Sequence, residues 1–195
     1  MNKIKALIGA GGHAREVMMQ MGSKLPCFVD DQYAANETLP LSKFDPDKFI
    51  VMVAVGNSKD RYDIVSKLPQ STEYFTFIHP TALIGEDVTI GVGSFIGANS
   101  IITTNVVLGA HALLNRSNHI GHDTLIGSFF SMMPGSIVSG NCKIHDCVYL
   151  GTNSSIKEKI NIHSLTTIGL NTGVVKHIEE SGIYVGSPAV KIKFI

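Results

Sequence analysis

The chain of 195 residues has no tryptophan and only three cysteines, and neither sign of charge is in excess: 16 Lys and Arg balance 16 Asp and Glu. Balanced charge argues against a broad basic face for nucleic acid or an anionic membrane surface. Cys27, Cys142 and Cys147 form no Cys-x-x-Cys pair and no zinc-ligand spacing with histidine, so no metal is expected. They read as small buried residues in a reducing compartment. No run of about 18 apolar residues is present, so no membrane span is expected. The first apolar run breaks into glycine at Gly9, too soon for a signal peptide, and a cytoplasmic location is expected. Apolar side chains are plentiful, at 44% against 16% charged. A chain of this length and composition buries one large core or two small ones.

The sequence divides at about residue 78. In residues 1–78, the apolar run Ile4 to Ile8 leads into Gly9-Ala10-Gly11-Gly12-His13-Ala14 and then a helical stretch. A strand, a Gly-x-Gly-x-x-Ala turn and a helix form the phosphate-cradling start of a Rossmann-like α/β unit. Gly9 allows the tight turn, Gly11 lets a phosphate approach the backbone, and Gly12 opens the helix whose N–H groups face an anion. His13 is placed to face the same phosphate. Residues 26–29 read as a second strand ending in Asp30-Asp31, carboxylates positioned for a ribose or base. A third strand over 49–55 ends in Gly56-Asn57, counted with the substrate residues. A helix over 58–68 starts at Ser58 as N-cap, and Tyr74 to Ile78 make a fourth strand. The competing reading is a glycine turn with no ligand.

From Ile84 to Val174, every sixth residue is aliphatic or Met, sixteen positions without an insertion. Glycine often follows directly, as at Gly85, Gly91, Gly121 and Gly151, and a small residue often lies two positions before, as at Ala82, Ser94 and Ser136. A period of 3.6 cannot keep such a stripe on one face. A hexapeptide repeat fits a parallel β-helix with three strands per coil. Residue n then stacks on n+18, at a strand spacing of about 4.8 Å. The regular sides of such a solenoid invite self-association. The period itself does not set handedness.

Together, IGAGGHAREV, FVDD, VAVGN, Asn115-Arg116-Ser117-Asn118-His119-Ile120-Gly121-His122-Asp123 and Tyr184-Val185-Gly186-Ser187-Pro188-Ala189 resemble the hexapeptide-repeat acyltransferases. More narrowly, the chain is similar to the sugar-nucleotide N-acetyltransferases that act on 4-amino-4,6-dideoxy sugars, with the sialic acid O-acetyltransferases as relatives. The resemblance implies a left-handed β-helix over 79–195 and a homotrimer with active sites between subunits. It implies a UDP- or dTDP-linked amino sugar as substrate and acetyl-CoA as co-substrate along the β-helix. The pathway implied is that of O-antigen, other surface glycans or glycoprotein sugars. The family's His-Asp/Glu pair aligns with His122-Asp123. Asn115 aligns with an Asn near the site, and Ser131 with a His that contacts the acetyl carbonyl. His119 is a rival base.

Amide formation from a thioester needs a base for the attacking amine, and a His oriented by a carboxylate supplies one. Gly140, 18 residues after His122, should stack beside it and leave its N–H open to the carbonyl, a possible oxyanion donor. No nucleophile elbow is present, so direct transfer is expected rather than an acyl-enzyme. The segment Lys191-Ile192-Lys193 reads equally as a contact for CoA phosphates or as a solvated tail. Competing readings are sugar O-acetylation, an NAD-dependent oxidoreductase, which would need a fuller Rossmann half, and a non-catalytic trimeric scaffold.

Overall fold

The computed structural model describes residues 3–193. The first unit is a five-stranded parallel sheet of β1 (Ile4–Ile8), β2 (Cys27–Val29), β3 (Leu39–Pro40), β4 (Phe49–Val53) and β5 (Glu73–Tyr74). Its spatial order is β3-β2-β1-β4-β5. Helix α1 (Gly12–Met21) turns Ala14 and Val17 onto the Leu7, Cys27 and Met52 side of the sheet. Helix α2 (Ser58–Lys67) turns Ile64 and Val65 onto the Ala6, Phe28 and Val51 side. Both faces are covered, as a parallel sheet with continuous apolar strands requires. Asn57 caps α2 by accepting from Asp60 N at 3.1 Å, in place of the expected Ser58. The expected strand from Tyr74 to Ile78 is two strands in two sheets: Tyr74 pairs with β4, while Phe77–Ile78 pairs with Phe95–Ile96 in the second unit.

The second unit is a three-sided β-helix of the left-handed class. Its first face runs through Phe77–Ile78, Phe95–Ile96, Leu113–Leu114, Ser131–Met132 and Tyr149–Leu150. The second runs through Leu83–Ile84, Ile101–Ile102, His119–Ile120, Ile137–Val138, Ser155–Ile156 and Gly173–Val174. The third runs through Val88–Ile90, Val106–Leu108, Thr124–Ile126, Lys143–Ile144 and Asn161–Ile162. Neighbouring coils pair in parallel at an offset of 18, as in Ile102 with Ile120 and Leu114 with Met132. The six-residue stripe is the interior: Ile96, Ile102, Leu114, Met132, Leu150, Ile162 and Ile168 are all fully buried. The offset shortens to 16 where Ile168 pairs with Tyr184, and an antiparallel strand at Val190–Lys193 then folds back on Gly182–Val185.

Sequence and backbone meet at the corners. Every sixth residue from Asp87 to Asn171 has positive φ, and Asp or Asn fills seven of these positions. Those side chains tolerate the left-handed region better than most. The glycine that follows a stripe residue lets two coils meet: a Cβ on Gly121 would lie 2.6 Å from Gly140 N. No helix among the described residues is long and apolar enough to cross a membrane.

Candidate active site

His122 and Asp123 occupy the corner between the second and third faces. Asp123 has φ +56°, so its side chain is carried outward beside the preceding histidine. His122 Nδ1 lies 2.7 Å from Asp123 Oδ2. An ionised carboxylate only accepts, so Nδ1 carries the proton and the Nε2 lone pair is left to act as base. The bond from His122, helped by one from Asn105, holds the Asp123 carboxyl below the usual range, so it is ionised at neutral pH. Gly140 is stacked under the ring: a Cβ there would lie 2.7 Å from His122 Nε2. The missing side chain keeps space free at the Nε2 lone pair. His119, on the second face, makes no side-chain hydrogen bond among the described residues, so it lacks an orienting partner.

The second cluster lies at the carboxyl edge of the five-stranded sheet. Strand order reverses between β1 and β4, which is where ligands of open parallel sheets bind. Gly9 has φ +106°, and a Cβ on it would meet Ala54 O at 3.1 Å, so the turns after β1 and β4 abut here. Gly11 precedes α1 with no side-chain cap, which leaves the first N–H groups of the helix for a ligand. Asp30 and Asp31 lie at the end of β2. Asp30 Oδ1 accepts from Gln32 N at 3.3 Å, and Asp31 Oδ1 from Ser42 N at 2.9 Å; the Ser42 side chain, then this backbone bond, lowers the Asp31 pKa. A cavity of about 720 Å³ continues from Ala10 of the glycine turn along Arg15, Met18, Lys24, Cys27 and Thr38. Two cations, Arg15 and Lys24, and one anion, Glu37, share this wall with apolar side chains, a feature that the glycine motif alone did not carry. No group of three or more His, Cys, Asp or Glu side chains converges as metal ligands would, among the described residues.

No protein-family model matches the chain. Over 172 residues it is 26% identical to the GDP-perosamine N-acetyltransferase of Escherichia coli O157:H7, covering 79% of this chain and 78% of that one. The acetyltransferase domain of PglB from Neisseria gonorrhoeae, solved with acetyl coenzyme A, superposes with a TM-score of 0.71 at 25% identity, covering 98% of this chain and all of that one. WeeI from Acinetobacter baumannii shares the fold at a TM-score of 0.88 and 24% identity, over 98% of this chain and all of that one. The chain is similar over most of its length to hexapeptide-repeat N-acetyltransferases of amino-sugar nucleotides.

Other residues expected at the site are engaged where the two units dock. Ser131 was expected to meet acetyl-CoA, but it is fully buried on the first face beneath α2. Its hydroxyl donates to Gly56 O at 2.9 Å and accepts from Ser58 Oγ and Arg61 Nη2, each at 2.9 Å, so no surface remains for a ligand. The Gly56 carbonyl and the Asn57 amide oxygen, read as substrate groups, are taken up by that docking and by the α2 cap. Asn115 is buried at the corner between the first and second faces, where its Nδ2 donates to Glu16 Oε2 at 3.2 Å. His13 lies edge-on to Phe95 at 5.5 Å. Burial, then the Arg61 charge, lowers its pKa to about 4, so it meets any ligand as a neutral ring. Lys191 Nζ donates to Glu180 Oε2 at 2.9 Å, on a strand rather than a loose tail.

The centre of this docking surface, Arg61, went unnoticed in the sequence. It is 1% exposed and donates to the carbonyls of Val55, His111, Phe129 and Phe130 at 2.7–3.0 Å. A single arginine in an otherwise amphipathic helix carries no mark of such burial. Asn105 is the other residue that sequence reasoning missed. Its Nδ2 donates to Asp123 Oδ1 at 2.7 Å. The coil arithmetic that places Gly140 on one side of His122 also places Asn105 on the other side of Asp123.

Proposed function

We propose that the chain transfers the acetyl group of acetyl-CoA to the 4-amino group of a nucleotide-linked 4-amino-4,6-dideoxy sugar, with His122 as general base. The carrying observation is the His122–Asp123 pair laid over a residue without a side chain. The amine gives its proton to His122 Nε2 as its nitrogen attacks the thioester carbonyl carbon. The tetrahedral oxyanion collapses, the C–S bond breaks, and the CoA thiolate takes the proton back from the imidazolium. No acyl-enzyme is needed. The E. coli relative acts on a GDP-linked sugar, so the nucleotide is read more broadly than UDP or dTDP. The acetylated sugar suits surface glycan or glycoprotein synthesis in the cytoplasm.

Topology supports a homotrimer with sites between subunits. The first unit covers the first face through Phe95 and Ser131, one corner beside it through Asn115 and the other through the His111 and Phe129 carbonyls. His122 projects from the third corner, away from the chain's own glycine turn. A neighbouring copy can bring its nucleotide unit to that corner. The faces flanking His122 expose Leu83 and Ile137 on one side and Val107 and Leu125 on the other, apolar area suited to self-association. Charge along the same corner gives acetyl-CoA a direction. Glu86 and Asp87 lie at one end, and a cleft of about 520 Å³ where Lys157, Lys159, Lys176 and His177 outnumber one carboxylate, Glu158, lies at the other. The CoA phosphates belong at the lysine end.

The test is thiol release from acetyl-CoA with a panel of nucleotide-linked amino and hydroxy sugars, using wild type and His122→Ala. Turnover confined to 4-amino sugars and reduced about 10²–10⁴-fold in the variant is expected. Turnover with hydroxyl acceptors alone would make it an O-acetyltransferase. Full activity in His122→Ala would remove His122 from the mechanism, and no release with any acceptor would favour the scaffold.

A further inference from the structure

We propose that Asn105 is a positioning residue for the base: its carboxamide fixes Asp123 so that the second carboxylate oxygen is held against the His122 ring. The inference rests on the reading of His122 as base. The three side chains form one chain across two coils, Asn105 Nδ2 to Asp123 Oδ1 at 2.7 Å and Asp123 Oδ2 to His122 Nδ1 at 2.7 Å. Coil geometry places them there. Asn105 and Asp123 are 18 residues apart at one corner, both left-handed, with φ +52° and +56°. Asn105 N donates to Glu86 O at 3.1 Å and Asp123 N to Thr104 O at 3.2 Å, so the backbone ladder keeps one residue directly over the other. Side chains leaving equivalent corners run parallel at about the 4.8 Å strand spacing, close enough for an amide to reach a carboxylate.

A left-handed asparagine has a simpler explanation in backbone preference. That explanation covers Asn99, Asn141, Asn153 and Asn171, which occupy equivalent corners. None of those four makes a side-chain hydrogen bond among the described residues, whereas Asn105 binds the one corner carboxylate that orients a histidine. The need for a clamp follows from exposure. The Asp123 side chain is 47% exposed, and a solvated carboxylate bonded through one oxygen turns freely about its last torsion. Tying the other oxygen removes that freedom before substrate arrives, as supporting shells do at other sites. The other titratable groups along this corner and its flanking strands include Glu86, Asp87, Lys157, Glu158, Lys159, Lys176, His177, His119 and Lys143, and none of them bonds to the pair.

The experiment compares Asn105→Gly, which keeps the left-handed backbone and removes the amide, with Asn105→Asp, which fits the same backbone and replaces a donor with a second carboxylate. In Asn105→Gly, kcat should fall about tenfold while KM for acetyl-CoA stays within about twofold. In Asn105→Asp, added negative charge favours the imidazolium, so the acidic limb of the kcat/KM profile should move up by about half a pH unit or more. Wild-type kcat in the first variant, or an unmoved limb in the second, overturns the proposal. A fall in kcat matched by a fall in thermal midpoint, with the limb unmoved, also overturns it and makes Asn105 structural. His122→Ala is measured alongside: full activity there defeats the base reading itself, whatever the Asn105 variants do.

Discussion

At the scale of single residues, the proposed active corner depends on an absent side chain as much as on those present. Gly140 does not have positive φ, so its backbone accommodates alanine. The added Cβ would sit 2.7 Å from His122 Nε2 and 2.9 Å from Cε1, inside van der Waals contact. The ring is 56% exposed and can swing outward, breaking its bond to Asp123 instead of straining the coil. Gly140→Ala is therefore expected to lower kcat by about 10²-fold, the effect of roughly 1 Å of misplacement. Its thermal midpoint should stay close to wild type, and wild-type turnover would show that the ring's resting position is irrelevant. The stacking of His122 on Gly140 was readable from the sequence because an unbroken six-residue period converts separation in sequence into position in space. The Asn105 contact obeys the same arithmetic. It went unseen because corner asparagines are common and nothing in the chain marks which one reaches a carboxylate.

At the scale of elements, both units were readable and their docking was not. Stripe residues such as Ile102 and Leu114 declare the β-helix because burial repeats with the chain, and Gly9 to Ala14 declare a strand–turn–helix because only that turn needs those glycines. The surface that α2 presents to the first face has no period, so Ser58, Arg61 and Ser131 gave no warning. Arg61 now stands as the fastener of α2. It has no carboxylate partner among the described residues and is solvated by backbone carbonyls and the Ser131 hydroxyl. Burial depresses its pKa to about 10, which leaves it charged at neutral pH. Lysine offers fewer donors from a single point and cannot span carbonyls from both units. Each buried acceptor left without a donor costs about 1–3 kcal/mol. Arg61→Lys should therefore destabilise the chain by about 3 kcal/mol or more in denaturant unfolding, and a loss under about 1 kcal/mol would show that water takes over its bonds.

At the scale of the whole molecule, the same guanidinium links docking to pH. His111 stacks on Phe129 with ring centroids 5.0 Å apart, has Tyr74 edge-on at 4.5 Å, and keeps a buried Nδ1 without a partner. Burial, then the Arg61 charge, lowers its pKa from 6.5 to about 4, and His13 is lowered to about 4 for the same two reasons. Both rings are neutral in the folded chain at pH 6, whereas the unfolded chain takes up protons near 6.5. The unfolded state therefore binds more protons between these values, and stability rises with pH there. The stabilisation is fully present above about 6.5, falls away as pH drops toward 4, and is worth about 3 kcal/mol for each ring. Carboxylates with lowered pKa, Glu16 among them, extend the loss in the same direction at lower pH. The thermal midpoint should begin to fall near pH 6.5, before ordinary carboxylates titrate. His111→Asn, compatible with the left-handed backbone at φ +57°, should remove about half of the dependence between pH 7 and 5. A midpoint that stays flat over that interval in wild type would mean that both rings reach solvent. Since His13 lies against Phe95 and His111 against Tyr74, protonation acts on the surface between the units. Acid should release the first unit from the first face while the stripe of Ile102, Leu114 and Met132 keeps the coils intact.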